Sequence, residues 1–233
     1  MREAFAFLTV VGRAARPTPR ALRWFPFAGA AIGAAVGTVW WLAGQAFPAL
    51  LAATLAVGAD LAITGLLHAD GLADAADGLL PHADRARRLE IMRTAGIGAF
   101  GVAVLAVVLS TRVAALAGRP ADIGLVVGLW CASRTVVAVA PAWMPYVREE
   151  GLATSLLETP ASPLVAVALA PAAALATVTA GWVGGAAVGA AVIGVALVLA
   201  LAWRRVGGFT GDVLGAAIIV GETVGLVVAA ARW

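Results

Sequence analysis

Charge, aromatic rings and cysteine are all scarce in this chain of 233 residues, and lysine is absent altogether. Charged residues make up 12% of the sequence, against about a quarter in soluble domains, so a water-facing surface cannot cover the whole molecule. The single cysteine, Cys131, excludes an internal disulfide; it lies within an apolar run and reads as a small packing residue. A pI near 10.4 raises the question of nucleic acid. All sixteen cations are arginines, however, and all but Arg112 and Arg134 fall between apolar runs. That pattern marks membrane orientation and phosphate or lipid-headgroup contact, with no nucleic-acid partner. Residues 1–12 carry Arg2 and Glu3 and lack the small-residue cleavage site of a secretory leader.

Hydrophobic residues fill 62% of the chain and the mean hydropathy is +0.97. Alanine and glycine dominate, which allows the close helix contacts that drive association in lipid. The chain therefore reads as all-α: one integral membrane domain over 1–233, a polytopic bundle of about seven spans preceded by an amphipathic helix over 3–12. Apolar windows of membrane-spanning length fall near 24–44, 47–67, 97–118, 122–143, 163–182, 184–203 and 212–231. Pro48, Pro120, Pro145 and Pro163 punctuate the span ends. Arginine placement sets the orientation. Arg2, Arg13, Arg16, Arg20, Arg23, Arg85, Arg87, Arg88, Arg93, Arg148, Arg204 and Arg205 fall on one side, against Arg119 and Arg232 on the other. The excess marks the cytoplasmic side, so the N-terminus and the 68–96 loop are expected there and the C-terminus outside.

Residues 68–78 read His-Ala-Asp-Gly-Leu-Ala-Asp-Ala-Ala-Asp-Gly. On a helix, Asp70, Asp74 and Asp77 share one face. Three bare carboxylates against hydrocarbon would be very costly. A divalent cation relieves them, and hard oxygen donors with room for substrate phosphate suit Mg²⁺ or Mn²⁺. His68, two residues before Asp70, points off that face and is a candidate ligand, proton-transfer group or hydrogen-bonding residue.

Residues 82–95 read as an interfacial amphipathic helix whose Arg85, Arg87, Arg88 and Arg93 meet headgroups or an anionic substrate. Gly207-Gly208-Phe209-Thr210-Gly211-Asp212 forms a turn offering backbone N–H groups to an anion, with Asp212 suited to an N-cap, a metal contact, or both. Glu150, in the polar stretch 148–152, falls on the same side. Asp60, Arg112, Arg134 and Glu222 lie within spans and are expected to be functional or paired.

These motifs resemble, over nearly the whole chain and in order, the cobalamin-5′-phosphate synthase family (adenosylcobinamide-GDP ribazoletransferases). Phe7-Leu8-Thr9 and Phe25-Pro26-Phe27-Ala28-Gly29 open the match, and Thr64 through Gly78 is similar to the family's TGGLHLDGLADTADG. Leu89-Glu90-Ile91-Met92, Ile97-Gly98-Ala99-Phe100-Gly101, Glu150-Gly151-Leu152 and Gly207 through Ala216 continue it. One stretch departs. Met92-Arg93-Thr94-Ala95-Gly96 lacks an Asp and an Arg of the family pattern and leaves Arg93 for a phosphate contact.

The resemblance implies a bacterial inner-membrane transferase with its site on the cytoplasmic face. It would join adenosylcobinamide-GDP to α-ribazole, or its 5′-phosphate, and release GMP. Asp70, Asp74 and Asp77 would hold Mg²⁺, and Arg85, Arg87, Arg88, Arg93, Thr210, Gly211, Asp212 and Glu150 would contact substrate. The lipid bilayer is an expected partner; the oligomeric state is left open, a homo-oligomer included. Two other readings exist. A CDP-alcohol phosphotransferase would require Asp-Gly-x-x-Ala-Arg and a later Gly-x₃-Asp-x₃-Asp, neither of which is present. A cation transporter would place its acids near the midplane in repeated halves, whereas these acids cluster at one end of the spans.

Overall fold

The computed structural model describes residues 1–11, 18–148 and 162–232. Among these residues the chain is helical, apart from an isolated parallel bridge between Tyr146 and Phe209. The short amphipathic helix α1 (Arg2–Leu8) buries Ala4 and Leu8. A 3₁₀ turn, Pro19–Trp24, leads into α2 (Phe25–Ala46). Glu3 ties the two together by accepting bonds from Oγ1 (2.6 Å) and N (3.0 Å) of Thr18, and these bonds hold its carboxyl below the usual range.

Six segments are long and apolar enough to cross a bilayer: Pro19–Ala46, Ala99–Ala117 (α6), Ile123–Ala142, Pro163–Ala180, Trp182–Val206 (α9) and Gly211–Ala230 (α10). Ile123–Val139 is α7, and Leu169–Ala180, entered by a 3₁₀ turn, is α8. Each corresponds to one expected window. The seventh window, 47–67, is corrected. Helix α3 (Ala49–Ile63) stops after 15 residues, only about 22 Å. The chain then turns by 88° into α4 (Leu67–Leu79), and only the two helices taken together are long and apolar enough for a seventh, broken span.

The break has an identifiable cause. Gly65 and Leu66 both adopt positive φ, 57° and 62°. Gly65 N donates to Ala62 O at 3.2 Å and Leu66 N to Leu61 O at 2.9 Å, the paired bonds of a Schellman end. Ile63 O, freed by the break, accepts from Val10 N at 2.9 Å. Backbone groups at such depth need partners, and here they come from the helix end itself and from the tail of α1.

The expected 68–96 loop is likewise mostly helix, comprising α4 and α5 (Arg85–Ile91), whose N-cap Asp84 accepts from Arg87 N at 2.8 Å. Small residues set the spacing elsewhere. A Cβ placed on Gly33 of α2 would lie 2.9 Å from Val126 O of α7, so only glycine lets these two helices meet.

One buried ionic network ties the bundle together. Arg112 of α6 donates to Asp60 of α3 (2.8 Å) and Glu222 of α10 (3.1 Å), and stacks over the Trp130 ring at 4.9 Å. Trp130 Nε1 donates to the second Asp60 oxygen at 2.9 Å. Arg134 of α7 pairs with Glu222, which also accepts from Ser133 Oγ at 2.9 Å. Two cations and two anions balance, as expected for paired intramembrane charges.

Candidate active site

Helix α4 packs between α6 and the first turns of α10. A Cβ on Gly71 would lie 3.0 Å from Asp212 O, so glycine at 71 lets the acidic helix approach the start of α10. The result brings two distant motifs together. Asp212, Asp70 and Asp77 are the carboxylates, and Arg148 the cation, close enough to act electrostatically on Asp74.

The three motif aspartates occupy different surroundings. Asp70 is exposed, Asp74 half-buried, and Asp77 buried. Both Asp77 oxygens are engaged: Oδ2 accepts from Gly98 N at 2.7 Å and Oδ1 from Gly101 N at 2.9 Å. Asp77 thus caps the start of α6, where a carboxylate also complements the helix dipole. Among the described residues, no three His, Cys, Asp or Glu side chains gather closely enough to ligate one ion. Asp70 and Asp74 instead face a cleft of about 580 Å³ whose opposite wall is the 92–97 segment with Arg93.

Asp212 is not the N-cap of α10. Thr210 is, its Oγ1 accepting from Val213 N at 3.3 Å. The helix begins at Gly211, two residues earlier than an Asp212 cap requires, so Asp212 falls in the first turn with its carboxylate free to pair with Arg148. Arg148 also donates to Met92 O at 2.7 Å. Its position follows from backbone pairing: Val147 N donates to Phe209 O and Phe209 N to Pro145 O, both at 3.0 Å. Arg148 was absent from the sequence-derived site, being a lone cation in a short loop whose partner lies 64 residues away.

The α5 arginines divide by role. Arg88 is buried and donates to Gly78 O (3.0 Å) and Leu79 O (2.6 Å), closing the C-terminus of α4. Arg85 Nε donates to Val206 O at 2.7 Å, closing α9. Arg87 pairs with Glu90 at 2.8 Å on the surface. Arg93 alone of the four lines the acidic cleft. Glu150 lies outside the described residues. His68 is buried, facing α10, and its Nε2 has no hydrogen-bond partner among the described residues.

The arrangement presents Asp70, Asp74 and Arg93 at a partly open cleft, with the Arg148–Asp212 pair on the α10 side of α4, the polar equipment for holding and neutralising phosphates.

Comparison with known proteins gives a consistent picture. A family described as Cobalamin-5-phosphate synthase matches residues 1–230. An adenosylcobinamide-GDP ribazoletransferase of Bradyrhizobium diazoefficiens is 41% identical over 88% of this chain and 81% of its own. Proteins of the same name from Roseiflexus and Chlorobaculum parvum are 35% and 36% identical, over 96% and 90% of this chain and 86% and 85% of theirs. No solved structure matches.

Proposed function

Because the chain belongs to the cobalamin-5-phosphate synthase family, we propose that it joins adenosylcobinamide-GDP to α-ribazole or its 5′-phosphate at the face shared by α4 and α10. A ribose hydroxyl oxygen bonds to the cobinamide-linked phosphorus. The bond from that phosphorus to the oxygen bridging to GMP breaks, GMP leaves, and a carboxylate of the cleft takes the hydroxyl proton. Family membership also sets aside the CDP-alcohol phosphotransferase and transporter readings.

The observation that carries the assignment of the site is the packing of α4, which bears Asp70 and Asp74, on the start of α10 at Gly71 and Asp212, where Arg148 pairs with Asp212. The donor set fits Mg²⁺, an ion usually bound by one or two carboxylates plus substrate phosphates. Asp70 and Asp74 would hold it, because Asp77 already serves the amides of α6. When bound, Mg²⁺ (or Mn²⁺) neutralises charge developing on the leaving phosphate. Arg93 reaches the phosphates from the opposite wall, and Arg148 holds Asp212 in place. The twelve-to-two arginine distribution supports a bacterial inner-membrane setting with the cleft at the cytoplasmic face, where nucleotide substrates are found.

The test is direct. Protein in liposomes supplied with adenosylcobinamide-GDP, α-ribazole and Mg²⁺ should release GMP, and chelation should stop it. Asp70→Asn and Asp74→Asn should each reduce release by at least about 100-fold, the scale of losing one key electrostatic group. Undiminished release in both variants would remove the acidic face from the chemistry.

A further inference from the structure

Beside the acidic cleft lies a second cavity, and its lining differs in kind. It has a volume of about 120 Å³ and sits among α1, the start of α2, α4, the end of α7 and α10. Phe7 and Phe25, stacked with centroids 6.0 Å apart, form part of the wall with Leu22, Val137 and Ile218. The polar members are few: His68, Tyr146, and the Arg148–Asp212 pair. That pair lines this cavity, and Arg148 donates from it to the carbonyl of Met92, which lines the acidic cleft. A buried nitrogen without a partner among the described residues, here Nε2 of a 4%-exposed His68, is destabilising until something pairs with it. An apolar cavity with a few polar groups in its wall has the composition of a small-molecule site. Apolar cavities of about 150 Å³ admit one aromatic ring, so this one takes a single ring of a fused planar base.

We infer that this cavity receives one ring of the planar heteroaromatic base of the acceptor nucleoside, the ring that carries the unsubstituted nitrogen, with His68 Nε2–H donating to that nitrogen and the attached ribose directed towards Arg148 and Asp212. The inference rests on the transferase reading above and adds a specificity-determining residue to it. His68 then acts in recognition, and its effect falls on the acceptor alone. Seating the base here leaves the ribose hydroxyl at the border with the acidic cleft, where the activated phosphate is held. The pyrophosphate substrate makes no use of this cavity.

Two probes differing by one atom test the idea: 1-methylbenzimidazole, which keeps the ring nitrogen acceptor, and 1-methylindole, which carries C–H in its place. In the wild-type protein, 1-methylbenzimidazole should inhibit GMP release competitively against α-ribazole and bind at least about tenfold more tightly than 1-methylindole, the discrimination expected of one buried hydrogen bond. In His68→Phe that preference should vanish. The KM for α-ribazole should rise at least about tenfold, with the KM for adenosylcobinamide-GDP unchanged. If neither probe competes, the cavity is only water-filled and the inference fails, whether or not His68→Phe folds. Equal binding of the two probes to the wild type would remove the hydrogen bond. A protein that binds 1-methylbenzimidazole in calorimetry yet releases no GMP would retain this site and lose the transferase reading. One that releases GMP without binding the probe would do the opposite.

Discussion

Replacing Glu222 with Gln isolates the energetics of the buried network, because it removes one charge while keeping the side chain's shape. Glu222 is 1% exposed and accepts from Arg112, Ser133 and Arg134. After the change Arg112 keeps Asp60 and Ile219 O, but Arg134 keeps only neutral acceptors, Ser133 Oγ and the amide oxygen at 222, in place of its carboxylate. Arg134 has no exposed surface, so it becomes an uncompensated buried cation. Removing one partner of such a pair costs about 3–5 kcal/mol. For a chain of this length that corresponds to a Tm lower by about 6–20 °C. Thermal unfolding in detergent, followed by tryptophan fluorescence, reads it out, since Trp130 lies within the network. The double variant Glu222→Gln with Arg134→Leu restores charge balance and should be more stable than Glu222→Gln alone. Arg87→Ala, which breaks only the exposed pair with Glu90, should leave the Tm unchanged. A Glu222→Gln protein melting with the wild type, or a double variant less stable than the single one, would refute the charge-balance reasoning.

Three further outcomes are expected. Thr210→Val should cost about 1 kcal/mol of stability through the lost α10 cap, whereas Asp212→Asn should cut GMP release by at least about 100-fold with little change in Tm; wild-type turnover in Asp212→Asn would confine that residue to structure. Gly71→Val should push α4 from α10, where even a Cβ would lie 3.0 Å from Asp212 O, and depress GMP release at least about tenfold, while Gly189→Ala, with open space around it, should be silent. In a Cys131→Ala background, a cysteine at Ala83 should react with an impermeant thiol reagent only from the cytoplasmic side, and one at Gln45 only from outside; the reverse pattern would invert the orientation.

Much of the architecture is legible in the chain because lipid imposes a length and a composition on every crossing. The break at Gly65-Leu66 is not, since it sits in a run of Ile, Thr, Gly and Leu that hydropathy reads as uninterrupted. The acidic motif is visible through its spacing, yet spacing makes Asp70, Asp74 and Asp77 equivalent. Only the packing of Gly98 and Gly101 against Asp77 sets that residue apart. The roles of Arg85 and Arg88 are hidden for the same reason, because the carbonyls they close belong to α9 and α4 and leave no periodic mark. Thr210 and Asp212 are both able to cap, and which of them does so depends on a two-residue difference in where α10 begins.

The ionic network also bears on how the protein is made. Its members enter the membrane in chain order: Asp60, then Arg112, then Arg134, and only with α10 does Glu222 arrive. Until that helix inserts, the three earlier residues hold one positive charge too many, at a depth where unpaired charge is costly. The same helix brings Asp212 to the face of α4. Synthesis of α10 thus completes electrical neutrality and the candidate site in a single event, so a ribosome-bound intermediate lacking it should stay loosely packed, open to quality-control proteases and inactive.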